Sequence, residues 1–492
     1  MLNKEQKIAL EVMQSGKNVF LSGEAGTGKS YLLNHFLESN KKKNILVCAP
    51  TGIAAINVNG STLHRTFRIP FEPLAPDSKP TSVSRSLEKA DIIVIDEISM
   101  CRFDQFDYVA KCIRQAEKQA QRSATKKCID MGMPPKKLPP KQVILIGDFF
   151  QLPPVITPKD REVLEQYWGS IIDINDGFAF QAPMWKDFNF TTIILKTVMR
   201  QQGNLEFVTN LNKLRKGDES AIAWFNTHAA KKQQAGIHLC CVNRSADQIN
   251  HTEAEKLNTL ARTYQARIEG SVSLSEMPTP DILNLKIGMQ VMSLVNDPNG
   301  KYQNGTVGTI TGLRSNSVTV DFDGEYIDIL PFKWEIIDYA VIMDAGKMKL
   351  NKVIAGIYEQ IPLKIAYAIT IHKSQGQTYD AANIDPNCFA AGQLYVGLSR
   401  VRSIENLHLT ELIKKKNLIT SQSVIDFYNI ASTLDLEKIT EKSEEISRKT
   451  IHGGVRSGAG RKYKYGTKTC TIRIPESAKE AVLEFLASRE WD

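Results

Sequence analysis

A chain of 492 residues with 42% hydrophobic and 24% charged residues has the composition of a soluble globular protein of more than one domain. No run approaches the roughly 18 apolar residues of a membrane span, and the eight cysteines lack the paired CxxC spacing of a zinc site or a disulfide framework, which points to a reducing, cytoplasm-like compartment. The net charge of +8 permits an anionic partner without demanding one.

In chain order, Met1–Leu10 reads as the start of an amphipathic helix rather than a signal or transit segment. It carries Gln6, seventeen residues before Gly23. A glutamine amide can meet the edge of an adenine with two hydrogen bonds; otherwise it is a solvated helix residue. Asn18–Ser22 (NVFLS) is a short buried strand, followed by Gly23-Glu24-Ala25-Gly26-Thr27-Gly28-Lys29-Ser30 and a helical stretch Tyr31–Ser39. This is the GxxxxGK[ST] pattern in its strand–loop–helix setting. Its glycines let backbone amides curl around phosphate oxygens at a helix N-terminus. Lys29 is expected to reach the β- and γ-phosphates of ATP, and Ser30 to hold Mg²⁺. Further strands fall at 44–48 and at Asp91–Ile95 (DIIVI), the latter ending in Asp96-Glu97. Alone, such a pair is a solvated strand end. Beside a phosphate loop it reads as a Mg²⁺ ligand, Asp96, and a residue that orients or deprotonates the attacking water, Glu97. A strand Gln142–Ile146 then runs into Gly147-Asp148-Phe149-Phe150-Gln151-Leu152-Pro153-Pro154.

From this last motif the chain resembles the superfamily-one DNA helicases, specifically the petite-integration-frequency (PIF) family and its RecD-like relatives, with a phage or bacterial member the best fit. Similar motifs recur in order: Ala49–Ala55 (APTGIAA), Gly60–Phe67 (GSTLHRTF), Glu97–Met100, Val198–Gln201 (VMRQ), Leu211–Gly217 (LNKLRKG), Ala368–Thr378 (AITIHKSQGQT) and Tyr395–Arg402 (YVGLSRVR). The likeness covers residues 1 to 415 or so. It implies an α/β fold of two RecA-like lobes that share one nucleotide. In it, Gln151 senses the γ-phosphate, and Arg200 and Arg400 reach across from the second lobe to neutralise charge as the bond breaks, an effect worth about 10³–10⁵ in rate for arginine fingers. Gly376 supplies backbone amides at the lobe interface, beside Gln375. Thr51, Gly52, Asn57, Thr62, His372, Ser374 and Thr378 become candidate contacts to DNA phosphate or sugar. His64 and Phe67 are candidates for touching bases, with a core role equally open for each. Stacking without base-edge readout implies weak sequence preference.

The resemblance also divides the chain. Residues 1–190 make the first lobe (1A), with a small 1B wedge element in 62–90, whose Pro/Ser-rich part 68–90 also reads as a plain surface loop. A basic, Pro-rich insertion at 114–141 is expected to be a mobile loop that touches DNA or is merely solvated. The second lobe (2A), with strands at 192–195 and 238–242, occupies 191–261 and 361–432. It is interrupted at 262–360 by alternating residues such as Val318–Phe322 and by Asn299-Gly300, Asn304-Gly305 and Asp323-Gly324 turns, which fit an SH3-like β-barrel (2B). After a charged stretch beginning at 433, residues 448–468 hold seven Lys/Arg, five Gly and no acid, the composition of an electrostatic clamp on phosphate. Residues 469–492 look like the first strand and helix of a ribbon-helix-helix module, or a peripheral packing element. The expected function is an ATP- and Mg²⁺-dependent DNA helicase that unwinds duplex DNA in replication, recombination or repair, a monomeric motor acting on single-stranded DNA and junctions, with replication or repair proteins as candidate partners, 5′→3′ by resemblance, in a bacterial or virus-infected cytoplasm and with no membrane role. The alternatives are a DNA-stimulated ATPase that remodels nucleoprotein and a DNA-binding regulator acting through the tail.

Overall fold

The computed structural model describes residues 2–431 except 71, 173, 175, 199–203, 233–235, 303 and 345–346. Arg200 and the tail expected at 433–492 therefore lie outside the described residues.

Six short strands, β1 (Val19–Gly23), β2 (Ile45–Ala49), β3 (Ser61–Thr62), β4 (Ile92–Ile95), β5 (Gln142–Ile146) and β6 (Thr191–Leu195), form one parallel sheet in the order β3-β2-β4-β5-β1-β6. They are apolar on both faces because helices cover both. Val19, Leu21, Val94, Ile144 and Ile146 pack with α1 (Lys4–Gln14) and α2 (Lys29–Ser39) through Ala9, Met13, Leu32, Leu33 and Phe36. Their alternates Phe20, Ile93, Ile95, Val143 and Leu145 face the other core, which takes in Phe103, Phe106, Val109 and Ile113. Strands β4, β5 and β1 are neighbours. The segments that leave their C-terminal ends, Asp96-Glu97, Gly147–Gln151 and the phosphate loop, are thereby brought to one edge, where ligands of parallel sheets bind. Between β2 and β4 lie the short helices α3 (Gly52–Asn57), α4 (Leu63–Phe67) and α5 (Arg85–Lys89).

The segment expected as a loop at 114–141 is mostly helical: α6 runs from Phe103 to Asp130. Nothing in it breaks a helix until Gly132, at φ +67°, and the prolines that follow. Its first half is buried and its second half largely exposed. The returning chain is held against it by Gln121, which donates to the Lys136 carbonyl (2.9 Å) and accepts from Leu138 N–H (2.8 Å). The prolines read from the sequence belong to this return and say nothing against the helix before it. In the 68–90 region, Leu74 is buried, its N–H donating to Asp104 (2.9 Å) and its carbonyl accepting from Trp168 of α7 (Pro158–Trp168; 2.7 Å).

The second lobe comprises α8 (Leu205–Arg215), α9 (Ser220–His228), β7 (Ile237–Cys240) and α10 (Asn243–Glu255), and then departs into an insertion. The insertion opens with β8 (Arg262–Gln265), β9 (Arg267–Gly270), β10 (Ile282–Leu285), β11 (Gln290–Ser293), β12 (Val307–Leu313), β13 (Val318–Phe322) and β14 (Glu325–Ile329). A long hairpin, β15 (Phe332–Asp344) and β16 (Lys347–Gln360), and β17 (Leu363–Ile365) complete it. An antiparallel sheet β14-β13-β12-β11-β17 encloses a core of Val291, Ile310, Val318, Val320 and Leu363. The insertion does not stand apart from the first lobe: Ile337 of β15 joins that lobe's core, and Arg65 of α4 forms a two-pronged ion pair with Glu276 (2.8 and 2.9 Å). The lobe resumes with β18 (Ala368–Thr370), β19 (Ala382–Ile384), α11 (Gln393–Leu398) and β20 (Leu407–Leu409), in a parallel sheet β18-β7-β19-β20. The last described helix, α12 (Gln422–Ile430), crosses back, and Val424 and Phe427 pack on the first lobe's core.

Arg102 and Asp104 form a buried ion pair at 2.6 Å beside the 68–90 segment, and Asp104 also fixes Leu74. Removing the carboxylate leaves the buried guanidinium with Asp160, at 3.7 Å, as its remaining acidic partner. Asp104→Ala is therefore expected to destabilise the protein by about 3–5 kcal/mol, read as a lower urea midpoint with an unchanged slope.

Candidate active site

The phosphate loop is shaped by glycines where its backbone turns left-handed. Gly26 and Gly28 both sit at φ +81°, and Gly28 is the N-terminal cap of α2. A Cβ at Gly28 would lie 2.6 Å from the Gln6 amide nitrogen. Gln6 is buried, and both ends of its amide are engaged: it donates to the Thr27 carbonyl (3.1 Å) and accepts from Asn3 N–H (3.1 Å). It thus stands at the loop as the sequence suggested, but as a brace on the loop backbone. Lys29 donates to the carbonyls of Gly23 (2.8 Å) and Glu24 (3.0 Å). Burial lowers the ammonium's pKa, and the charges of Asp148 and Glu97 oppose that without cancelling it. Ser30 is exposed at the first turn of α2. The Ala25 N–H is already claimed from the second lobe, donating to the Tyr395 hydroxyl (3.0 Å). Burial also raises the pKa of Glu24, whose carboxylate meets Asn212 of α8.

Beyond β4, Glu97 adopts φ +50°, ψ +43°, a left-handed conformation unusual for a non-glycine. Gly147 makes room for this turn: a Cβ there would come 3.0 Å from the Ile98 side chain and 3.1 Å from its amide. Asp96 is buried and accepts from Glu97 N–H (2.9 Å). Burial, and then the neighbouring Glu97 charge, push its carboxyl above the usual range. The second lobe enters through Gln375, whose amide nitrogen lies 3.1 Å from the Glu97 carboxylate and 3.3 Å from the side-chain amide oxygen (Oε1) of Gln151. One side chain thus ties the expected water-activating acid to the expected γ-phosphate sensor.

A second cross-lobe bond lies behind it. Arg215, at the end of α8, makes a two-pronged ion pair with Asp148 (2.7 and 3.2 Å), and both are buried. Arg400 is also buried, its guanidinium spent on the carbonyls of Val396, Ser374 and Gln377 and on the Ser399 hydroxyl. It therefore braces the 374–377 turn, within electrostatic range of Glu97.

Between the lobes runs a cavity of 1110 Å³, lined from the first lobe by Ser30, Thr51, Asn57, Asp96 and Glu97 and from the second by His372, Gln375, Gly376 and Thr378. Gly376, at φ +80°, turns the chain where no neighbour would meet a Cβ. Ser30 and Asp96 offer one hydroxyl and one carboxylate to the same space, hard oxygen donors of the kind Mg²⁺ accepts alongside phosphate and water. Burial lowers the pKa of His372. The remaining candidates are placed differently. Thr51 lines the cavity while capping α3, Gly52 is buried in that helix's first turn, and Thr62 is buried as the cap of α4 (3.2 Å to Arg65 N–H). Ser374 is fully buried and spends its hydroxyl on the Ile371 carbonyl (2.7 Å). His64 is half-buried near Arg102 and Asp104, its pKa lowered chiefly by burial. Phe67 has no face left for a base, being packed in the first lobe's core at 3% exposure. Sequence reasoning left Asp148, Arg215, Tyr395 and Gly392 without roles, although the first three stand inside quoted motifs.

A PIF1-like helicase family model matches residues 1–223. The ATP-dependent DNA helicase Pif1 of Bdellovibrio bacteriovorus is 31% identical over 444 residues, covering 87% of this chain and 91% of that protein. The chain belongs to the PIF1-like helicase family. Among solved structures, Bacteroides sp Pif1 in complex with ADP-AlF4 is 33% identical, with a TM-score of 0.74 over 87% of this chain and 96% of that one. The same Bacteroides protein bound to ssDNA gives 0.60 over the same share of this chain. The two RecA-like parallel sheets described above are this family's fold.

Within the family frame, Gly392 marks a close approach of the two lobes. At φ +72°, its Cα approaches the loop after β5 so tightly that a Cβ would sit 2.3 Å from the Phe150 carbonyl and 2.7 Å from that of Gln151. Gly392→Ala is expected to force the lobes apart and lower ATPase kcat at least about tenfold, roughly the 1.4 kcal/mol of one misplaced contact. Steady-state turnover at saturating ATP checks this.

Proposed function

We propose that this chain is an ATP-hydrolysing DNA helicase whose two lobes close on one triphosphate and reopen after its cleavage, drawing single-stranded DNA along the cleft. The Gln375 bridge to Glu97 and Gln151 carries the reading, because a second-lobe residue there can link the state of the nucleotide to the strand-facing cleft. Lys29 and the loop amides hold the phosphates, and Glu97 orients the attacking water. Mg²⁺, held by Ser30 and Asp96, would supply charge neutralisation on the phosphate oxygens. Thr51, Asn57, His372 and Thr378 line the cleft on both lobes and are the polar groups best placed for a phosphodiester backbone. Of these, only the Asn57 amide could make the two-pronged base-edge pairing that reads sequence, so the expected sequence preference is weak. Bacteroides Pif1 has been solved bound to ssDNA, and a further Pif1 structure concerns unwinding at forked dsDNA by two coordinating helicases, which favours junctions as the point of action.

Among the described residues no helix is long and apolar enough to cross a membrane, and seven cysteines are free thiols. Polarity follows the family resemblance, 5′→3′. Duplexes with a 5′ or a 3′ overhang, each with and without ATP, test it. Unwinding of the 5′-tailed duplex alone, and only with ATP, is expected; equal unwinding of both tails would overturn the polarity, and unwinding of neither would overturn the helicase.

Arg400 is the second-lobe arginine assigned to the nucleotide by the family motif, by release from the carbonyls it now holds. Arg400→Ala is expected to keep ATP affinity within about threefold while lowering kcat by about 10³ or more. Nucleotide binding and turnover, measured separately, decide between this and a purely structural brace, which would lower both.

A further inference from the structure

The helix α12 is reached through the second lobe but is fastened to the first. Its cap, Ser421, donates to Asp176, Phe427 stacks on Phe180 with centroids 4.4 Å apart, and Val424 is in the first lobe's core. One turn further on, the Tyr428 hydroxyl lies 2.6 Å from Ser22 Oγ, the last side chain before the phosphate loop, and accepts from Phe149 N–H at 3.4 Å. One oxygen therefore joins the base of the phosphate loop to the segment that ends in Gln151.

The ring of the same tyrosine lies flat on Phe150, 5.0 Å between centroids and 7° between planes. Phe150 is also covered by the guanidinium of Arg215, 4.2 Å from its centroid. Arg215 belongs to the second lobe and Tyr428, by its fastening, to the first. Phe150 is thus gripped by both lobes and precedes Gln151 directly in the chain. The loop around it is otherwise tightly turned: Gln151 N–H donates to the Asp148 carbonyl (2.9 Å), and Phe150 N–H to the Asp148 carboxylate (3.2 Å). When lobe movement carries Arg215, the pull falls on Phe150 and Asp148 together. Where Gln151 then goes depends on what holds the other side of the loop still.

We infer that Tyr428 is a positioning residue for the stimulation of ATP hydrolysis by DNA: it anchors the Gly147–Gln151 loop to the base of the phosphate loop, so that displacement of Arg215 is converted into placement of Gln151. It touches neither nucleotide nor DNA and acts through Phe149, Phe150 and Ser22. The inference rests on the reading of the chain as a DNA-stimulated motor with Gln151 facing the γ-phosphate.

Tyr428→Phe keeps the ring and its stack but removes the hydroxyl. In the full chain, with oligothymidylate as the stimulating strand, stimulated kcat is expected to fall about five- to twentyfold, while unstimulated kcat and the KM for ATP stay within about twofold. A tyrosine that merely supports the fold would lower the melting temperature and leave the ratio of stimulated to unstimulated turnover untouched. Arg215→Lys retains the charge facing Asp148 but loses the planar stack; it should reduce the same ratio, and the double variant should be little worse than the poorer single one. A parental ratio in Tyr428→Phe, or a loss confined to the KM for ATP, overturns the inference and leaves the motor intact. A parent enzyme that oligothymidylate does not stimulate fails earlier, at the reading itself, and takes the inference with it.

Discussion

The buried ion pair between Asp148 and Arg215 joins the two halves of the molecule. Its partners come from opposite lobes, both are shielded from water, and each would be costly to leave alone there. Burial opposes the charge on Arg215, yet the carboxylate of Asp148 holds its pKa above the usual guanidinium range. Such a pair specifies one relative seating of the lobes more than it adds net stability. While the pair holds, any displacement of Arg215 is passed to Asp148 and the loop that carries it.

Around that pair, the second lobe approaches the first at side-chain hydroxyls and amides and at a glycine. Tyr395 takes the Ala25 N–H, Gln375 meets Glu97 and Gln151, and Gly392 lets α11 lie almost on the backbone of Phe150 and Gln151. Cationic groups near the phosphate loop are meanwhile engaged with protein: Lys29 with two loop carbonyls and Arg400 with the 374–377 turn. Each of these bonds is of a kind that phosphate oxygens can replace, since an anionic acceptor makes a stronger hydrogen bond than a carbonyl. The site is arranged for exchange of partners more than for static coordination.

The lobes are also interwoven away from the cleft. The hairpin β15–β16 carries Ile337 from the insertion into the first lobe's core, Arg65 and Glu276 pair across the same boundary, and α12 returns to pack beside Phe20 and Phe149. A linear division at 190, 262, 361 and 432 describes the order of the chain. It does not describe which surfaces share a core, because contacts between segments hundreds of residues apart leave no local periodicity.

Short-range chemistry was legible in the residues alone. The phosphate loop, the acidic strand end and the strands β1, β2 and β4–β7 were readable to within two residues, because each depends on a few consecutive side chains and their backbone preferences, whereas the short β3, β18, β19 and β20 were not. The insertion's turns were readable for the same reason, whereas α6 was partly missed because the prolines after it were read back into a helix they only terminate. What the tertiary structure decided was the fate of each polar group. Phe67 is core, Ser374 and Thr62 are spent on backbone, Gln6 braces a loop, and Asp148 finds Arg215 sixty-seven residues away. A residue's partners in a folded chain are set by which strand ends and helix termini the sheet order brings together, and that order is a property of the whole chain that no window of sequence contains.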